Sequence, residues 1–287
     1  LLAPLLGVNA LRLQAQTKAQ PVTLSVGLTD RAGNAVTTIP PREIAVYEEG
    51  EPQKILSATR EDGPVSIGIL IDISSSQRKH FPAVLEAVQS FLASSADDDE
   101  FFVVMFGERI TLLSDFADRK TTLEKLTPPA FEKRSKVYEA IHYGLAQIQH
   151  GKFSRRALLL LSDGQDGGSQ VSYGQLFNAI KASDAQIYCL GVGNTNSDEG
   201  EGPGNFQIGH LLLEEMATLT GGTAYMKDKS EQLRLEARVM AQQLWHQYRV
   251  VYQRPITAGE KKWRKIKVKT TASYSHLKIR ARQGYWF

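Results

Sequence analysis

Residues 64–228 alternate between short runs that are apolar almost throughout and longer segments whose apolar residues recur at helical spacing. The run Val65–Asp72 is nearly continuous in apolar residues, as a strand buried on both faces requires. The segment that follows has apolar residues three or four positions apart, which indicates a helix. Strands and helices that alternate in this way form a mainly parallel sheet with helices on both faces, and we predict this α/β class.

The same pattern continues along the chain to residue 247. Further strands are expected at 101–106, 157–161, 187–192 and 223–226, with an antiparallel partner at 110–113, and helices at 81–92, 137–150, 173–183, 211–219 and 230–247. The pair Gly221-Gly222 is expected to stop the helix before it. Because most strands are followed by a helix, their carboxyl ends are expected to share one edge of the sheet.

Two segments with a different pattern flank the α/β region. Residues 21–62 and 247–287 contain stretches of alternating apolar and polar side chains, which is typical of half-buried antiparallel strands. Neither segment has enough strands to form a stable sheet alone. We therefore predict that they pair into one small β-sandwich, and that a Rossmann-like, doubly wound domain at 63–246 is inserted between its halves.

Residues 1–20 begin with the apolar stretch Leu1–Leu11 and continue with polar and small residues. This order is typical of a secretory signal peptide, here truncated before its charged first part; a buried N-terminal helix is the alternative. No other stretch approaches the ~20 apolar residues that a membrane span needs. We expect a secreted, periplasmic or cell-surface protein with no transmembrane span in the mature chain.

Positive charge is concentrated near the C-terminus. Residues 249–287 hold 11 Lys or Arg and one acid, Glu260, which leaves the rest of the chain mildly acidic. Most of these basic side chains alternate with apolar ones and are expected on the solvent face of a sheet. Contact with an anionic surface through these strands is the alternative. Binding of nucleic acid fits poorly with export.

Oxygen-bearing side chains follow two of the predicted strands, at the point where each strand ends. Asp72, Ser74 and Ser76 lie at the end of the first buried strand, Asp163 follows a later one, and Ser135 stands at the head of a helix. Ligands of open α/β sheets bind beyond the carboxyl ends of the strands. A carboxylate followed by hydroxyls at alternate positions can surround a hard cation with oxygen atoms.

With these residues the chain resembles the von Willebrand factor A family, whose metal-ion-dependent adhesion site is Asp-x-Ser-x-Ser, then a Thr, then Asp-Gly. Asp72, Ser74 and Ser76 match the first part, and Asp163-Gly164 matches the last. Ser135 stands where the family usually has Thr, which keeps the hydroxyl and loses a methyl group. The segments 44–55 and 280–285 are also similar to those of the secreted bacterial proteins described as VWFA-related.

The resemblance implies one Mg²⁺ ion, with Mn²⁺ or Ca²⁺ as alternatives, held by Asp72, Ser74, Ser76, Ser135 and Asp163. Mg²⁺ prefers near-octahedral oxygen coordination and keeps positions for water. The resemblance further implies that an exposed Asp or Glu of a protein partner fills the exchangeable position. The alternative is a degenerate site, in which the serines only cap a helix and Asp163 only forms a turn.

Five further residues are candidates for supporting the site or contacting the partner: Ser75, Gly164, Asp166, Asn194 and Asp198. The last two belong to the loop 194–206, which leaves the carboxyl end of a strand and is expected to border the site. This loop could shape specificity or hold a second cation. A solvated loop is the alternative, and its acids would repel an acidic ligand. Asp166 could support the site or lie exposed.

Enzymatic functions find little support in the sequence. It has no Walker sequence, no Gly-x-Ser-x-Gly motif and no zinc-binding pair among its six histidines. A phosphatase of the haloacid dehalogenase type would need a second Asp where Ser74 stands. We expect a non-enzymatic adhesion module. The main alternative is a structural envelope or assembly component that uses the basic strands; a metal-dependent hydrolase, which lacks a recognisable general base, is a third.

Overall fold

The computed structural model describes residues 21–192, 203–227, 229–254 and 262–287. The expected signal peptide at 1–20, and with it the loop residues Asn194 and Asp198, lie outside the described residues. In chain order the elements are β1 (Pro21–Thr29), β2 (Ile44–Glu48), β3 (Glu51–Pro52), β4 (Lys54–Glu61), β5 (Val65–Asp72), α1 (Phe81–Ala93), β6 (Glu100–Phe106), β7 (Ile110–Ala117), α2 (Arg119–Lys125), α3 (Val137–Gln147), β8 (Arg155–Leu161), α4 (Tyr173–Ala182), β9 (Gln186–Val192), α5 (Pro203–Thr220), β10 (Ala224–Lys227), α6 (Leu233–Trp245), β11 (Gln247–Gln253), β12 (Trp263–Thr270), β13 (Lys278–Arg280) and β14 (Gly284–Trp286).

A six-stranded sheet in the order β10-β9-β8-β5-β6-β7 forms the centre of the molecule. All neighbouring strands are parallel except β7, which runs antiparallel to β6 as predicted. Every residue of β5 is buried, because helices cover both faces of the sheet. This arrangement confirms the predicted α/β class.

Residues of β5 supply both hydrophobic cores, since successive side chains of a strand point to opposite faces. Ile67, Ile69 and Ile71 pack with α1 and α6, whereas Leu70 packs with α3, α4 and α5 on the other face. Helix α1, which follows β5, and helix α4, which follows the adjacent strand β8, therefore lie on opposite faces of the sheet. The crevice beyond the carboxyl ends of two such strands is the usual ligand site of open α/β sheets.

The two flanking segments of the chain build two further sheets together. Their strand orders are β13-β1-β11-β4 and β14-β12-β2-β3, so each sheet combines strands from both ends of the chain. One shared core, which includes Leu24, Val46 and Tyr252, lies between them. The predicted insertion of the α/β domain into a terminal β-sandwich is thus confirmed.

The β-sandwich contacts the amino ends of the central strands. Arg155, the first residue of β8, has its Nε 3.7 Å from a carboxylate oxygen of Glu61, the last residue of β4. Arg282 donates to the carbonyl of Ser183, just before β9, at 3.2 Å. The sandwich and the carboxyl ends of the strands are therefore at opposite ends of the central sheet.

Three features differ from the sequence prediction. Helix α5 begins at Pro203 rather than 211, so 203–206 of the predicted loop are helical; proline is well suited to the first helical position because its φ is already fixed. The short helix α2 was not expected, and the side chain of Asp118 caps it by accepting from the Thr121 amide at 2.8 Å. Helix α6 covers Leu233–Trp245, shorter at both ends than the predicted 230–247, and a 3₁₀ turn at Ser230–Gln232 precedes it. Within the described residues, no helix is long and apolar enough to span a membrane.

Candidate metal centre

Asp72, the last residue of β5, lies at the centre of a cluster of polar side chains and is almost fully buried. Its Oδ1 accepts a hydrogen bond from the Ser74 amide at 2.8 Å. Its Oδ2 accepts from the hydroxyls of Ser135 at 2.9 Å and of Ser162 at 2.6 Å. Three segments of the chain therefore converge on one carboxylate.

Asp163 supplies a second buried carboxylate beyond the end of the neighbouring strand β8. Its Oδ1 accepts from the Gln165 amide at 3.0 Å, and its Oδ2 accepts from Gln77 Nε2 at 2.8 Å and from Ser76 Oγ at 3.2 Å. Ser76 Oγ in turn lies 3.1 Å from Ser74 Oγ. The structure thus brings all five predicted residues into one continuous group of oxygen atoms.

Backbone hydrogen bonds hold the loops that carry these side chains. The Glu132 amide donates to the carbonyl of Ile73 at 2.9 Å, which joins the loop before α3 to the loop after β5. The Gly167 amide donates to the carbonyl of Ser135 at 2.7 Å, which joins that loop to the one after β8. The Ser135 hydroxyl is therefore positioned by main-chain contacts on both sides.

The two carboxylates interact unfavourably in the protein alone. Burial and the negative charge of Asp72 raise the pKa of Asp163 to about 7, and burial raises the pKa of Asp72. Within the described residues, neither aspartate forms an ion pair with Lys or Arg. Buried carboxylates without a counter-charge are costly, and a divalent cation between them removes that cost. The residues therefore fit a hard divalent cation.

The arrangement of the serines argues against a degenerate site. Ser74 precedes a short 3₁₀ helix at Ser75–Gln77 but makes no side-chain capping hydrogen bond to it, and the N-caps of α1 and α3 are His80 and Lys136. The serine hydroxyls face one another and the aspartates instead. Asp163 does form a turn, as the degenerate site would require, because its Oδ1 accepts from the Gln165 amide. Its Oδ2 accepts from Gln77 and Ser76 instead.

The other candidates have structural positions around the cluster. Gly164 has φ +78°, and a Cβ there would lie 2.6 Å from the carbonyl oxygen of Gly209 on α5, so that only glycine fits. Asp166 is half-buried and accepts from the Tyr138 amide at 3.2 Å and from Ser169 Oγ at 2.6 Å. It joins the loop after β8 to α3 and is not part of the oxygen group. Ser75 is exposed, and its hydroxyl donates to the carbonyl of Lys133 at 3.3 Å.

Sequence reasoning missed Ser162 and Gln77, both buried and each hydrogen-bonded to one of the two aspartates. Ser162 could have been found from its place at the carboxyl end of β8, directly before Asp163. No pattern singles out Gln77. Among the described residues no group of three or more His, Cys, Asp or Glu is placed to hold a metal, so a site here depends on hydroxyls as well as carboxylates.

Comparison with known proteins identifies the domain to which this cluster belongs. The family model for the von Willebrand factor type A domain matches residues 66–204, a stretch that includes all five predicted ligands. The chain contains a von Willebrand factor type A (VWA) domain. No curated protein matches the sequence significantly.

Solved structures agree with the VWA fold at low sequence identity. A von Willebrand factor type A protein from Catenulispora acidiphila aligns with a TM-score of 0.53 and 12% identity over 93% of this chain and 73% of its own. Proximal thread matrix protein 1 from the mussel byssus, with a zinc-occupied MIDAS motif, has a TM-score of 0.53 and 13% identity over 69% of this chain and 50% of its own. The pilus adhesin SpaC from Lactobacillus rhamnosus GG has a TM-score of 0.50 and 11% identity over 88% of this chain and 48% of its own.

Proposed function

We propose that the VWA domain is a non-enzymatic binding module that holds a divalent cation, Mg²⁺ first among them, through Asp72, Ser74, Ser76, Ser135 and Asp163. The observation that carries this proposal is the continuous group of carboxylate and hydroxyl oxygens at the carboxyl ends of β5 and β8. Two carboxylates balance the ion's charge, while three hydroxyls add neutral oxygen ligands, which suits a hard cation.

A carboxylate from a protein partner completes the coordination in this proposal. Mg²⁺ binds readily through a few protein oxygens and keeps exchangeable water positions, one of which an Asp or Glu can occupy. The mussel byssus protein, whose MIDAS motif holds zinc, is similar in fold and supports a cation at this place. Mn²⁺ and Ca²⁺ are alternatives. We place the protein outside the cytoplasm, in keeping with the apolar N-terminal stretch.

Calorimetric titration of the full chain with Mg²⁺ and Mn²⁺ tests the metal site. Wild type should bind one ion per chain, and Asp72→Ala should remove binding while the far-ultraviolet circular dichroism spectrum is retained. Ser75→Ala is the matched control, because this hydroxyl lies in the same loop but bonds to the carbonyl of Lys133 instead of facing the oxygen group. Equal binding by wild type and Asp72→Ala would contradict the proposal.

A further inference from the structure

Four basic residues flank the proposed serine ligands along the chain, on the two loops that supply them. Arg78 and Lys79 follow Ser76 along the chain, and Lys133 and Arg134 directly precede Ser135. All four are exposed. We call these four residues the basic rim.

The two halves of the basic rim lie side by side in space. The Ser75 hydroxyl donates to the carbonyl of Lys133 at 3.3 Å, and the Arg78 guanidinium lies 5.3 Å from the centre of the Phe131 ring. Both halves of the rim therefore lie beside the oxygen group, close enough for long, exposed Lys and Arg side chains to reach a metal-bound partner.

Within the described ranges, the basic rim has no acidic ion-pair partners. Two acids close to the rim pair with other residues: Glu132 with Arg109 at 2.6 Å and Glu139 with Lys136 at 3.2 Å. The rim thus leaves four positive charges beside a site whose ligand is anionic.

We propose that the partner binds through an acidic segment, in which the metal-coordinating Asp or Glu is flanked by further Asp or Glu residues that pair with the basic rim. This inference rests on the proposed metal-dependent function and adds the partner's charge pattern to it. An exposed ion pair strengthens association by about 1.5- to 5-fold, and several together by about tenfold. Such pairs also make the affinity sensitive to salt.

Two synthetic peptides of equal length test the inference. Both carry one central Asp; one has three Glu residues around it and the other has Gln at those three positions. Surface plasmon resonance in Mg²⁺ at low salt compares wild type with Lys133→Gln/Arg134→Gln. The matched control, Lys265→Gln/Lys267→Gln, removes the same charge from exposed residues of β12, in the sandwich at the opposite end of the sheet.

Wild type and the control variant should bind the Glu-containing peptide about tenfold more tightly than the Gln peptide. The rim variant should lose most of this preference while its calorimetric Mg²⁺ affinity stays close to that of wild type, which excludes misfolding. Raising the salt concentration should weaken binding of the Glu peptide more than that of the Gln peptide.

Two results separate failure of this inference from failure of the proposed function. If Asp72→Ala or a chelator removes peptide binding but the rim variant keeps the wild-type preference, or if wild type shows no preference, the inference is wrong and the metal-dependent function stands. If the preference survives in Asp72→Ala and in chelator, both are contradicted. If wild type binds neither peptide, the inference is wrong, and the Mg²⁺ titration decides the metal site independently. Rim-dependent binding to phosphatidylserine vesicles in chelator, without peptide binding, would replace the acidic segment with an anionic surface.

Discussion

The hydroxyl of Ser162 donates a hydrogen bond of 2.6 Å to Oδ2 of Asp72, from the end of β8 to the last residue of the parallel strand β5. The same Oδ2 accepts from Ser135, so two hydroxyls fix one carboxylate oxygen. Ser162 Oγ also accepts from the Gly164 amide at 3.1 Å, which orients the turn that carries Asp163. The Ser162 hydroxyl therefore helps to position both aspartates.

Ser162→Ala should weaken Mg²⁺ binding although Ser162 is not a proposed ligand. Removing a side chain that orients a metal ligand typically costs about 10- to 100-fold in affinity. Calorimetric titration beside wild type measures the loss, with Ser75→Ala as the control hydroxyl. An unchanged dissociation constant would show that the bond to Asp72 does not support the site.

The buried aspartate pair should make the stability of the metal-free protein depend on pH. The pKa of Asp163 is raised from 3.8 to about 7, so between these values the folded state binds more protons than the unfolded state. The free energy of unfolding should therefore rise as the pH falls from 8 toward 5, since the like-charge repulsion is relieved. In chelator, wild type should gain more in Tm over this range than Asp163→Asn.

Ionisable groups that wild type and Asp163→Asn share contribute equally to the pH dependence of both, so their contributions to Tm cancel in this comparison. Each kcal/mol of stability corresponds to about 2–4 °C in Tm for a chain of this size. Mg²⁺ added at pH 8 should raise the Tm of wild type and leave that of Asp163→Asn almost unchanged. Parallel pH profiles for the two proteins would contradict the assignment of the raised pKa to Asp163.

Gly164→Ala should destabilise the protein and disturb the metal centre. The residue has φ +78°, and an added Cβ would lie 2.6 Å from the carbonyl oxygen of Gly209, so α5 or the turn must move. Positive φ alone costs a non-glycine residue about 1–2 kcal/mol. The matched control is Gly174→Ala on α4, where a Cβ meets nothing within 4 Å. Urea unfolding should show a loss for the first variant and none for the second.

The sandwich contains a buried ion pair whose loss should leave the metal centre intact. Arg264 Nε lies 2.9 Å from Glu48 Oε1, and the hydroxyls of Tyr252 and Tyr285 donate to Glu48 Oε2 at 2.7 and 2.9 Å. Glu48→Leu removes one partner of this buried ion pair, which typically costs about 3–5 kcal/mol. We expect a lower Tm with an unchanged Mg²⁺ dissociation constant, because the sandwich lies at the amino ends of the strands.

A double variant, Glu48→Leu/Arg264→Met, separates the ion pair from general packing. Replacing both partners with apolar residues of similar size is often close to neutral, so it should recover much of the lost stability. A double variant as unstable as Glu48→Leu would indicate that the hydrogen bonds of the tyrosines, rather than the ion pair between Glu48 and Arg264, determine the loss.

The strands and the longer helices of this fold could be predicted from the sequence, because burial requires their apolar side chains to recur at a regular spacing. A strand covered on both faces must be apolar throughout, as β5 is. In β12 the alternation also places Arg264 on the same face as the buried Ile266. We interpreted the basic side chains of these strands mainly as a solvated face, and Arg264 departs from this because Glu48 of β2 neutralises it. That pairing spans 216 residues and leaves no local pattern.

The oxygen cluster was predictable for a geometric reason. Residues at the carboxyl ends of parallel neighbouring strands must be close, so Asp72 and Asp163 could be joined from their places in β5 and after β8. Ser135 depended on the resemblance to a known family. Gln77 could not be found, since a single amide in a loop has no period and its contact with Asp163 exists only after folding. Helix α2 is similarly short, and a side-chain cap rather than an apolar stripe marks its start.

Anomalous scattering from crystals grown with Mn²⁺ would test the proposed metal centre itself, because it locates the ion without assuming its ligands. We expect one strong anomalous peak at the carboxyl ends of β5 and β8, with oxygens of Ser74, Ser76 and Ser135 in the coordination shell and the carboxylates of Asp72 and Asp163 bound directly or through water. The peak should be absent from crystals of Asp72→Ala. A structure with no peak at this position under saturating Mn²⁺, or with the ion held by other residues, would show that these five residues do not form a metal site.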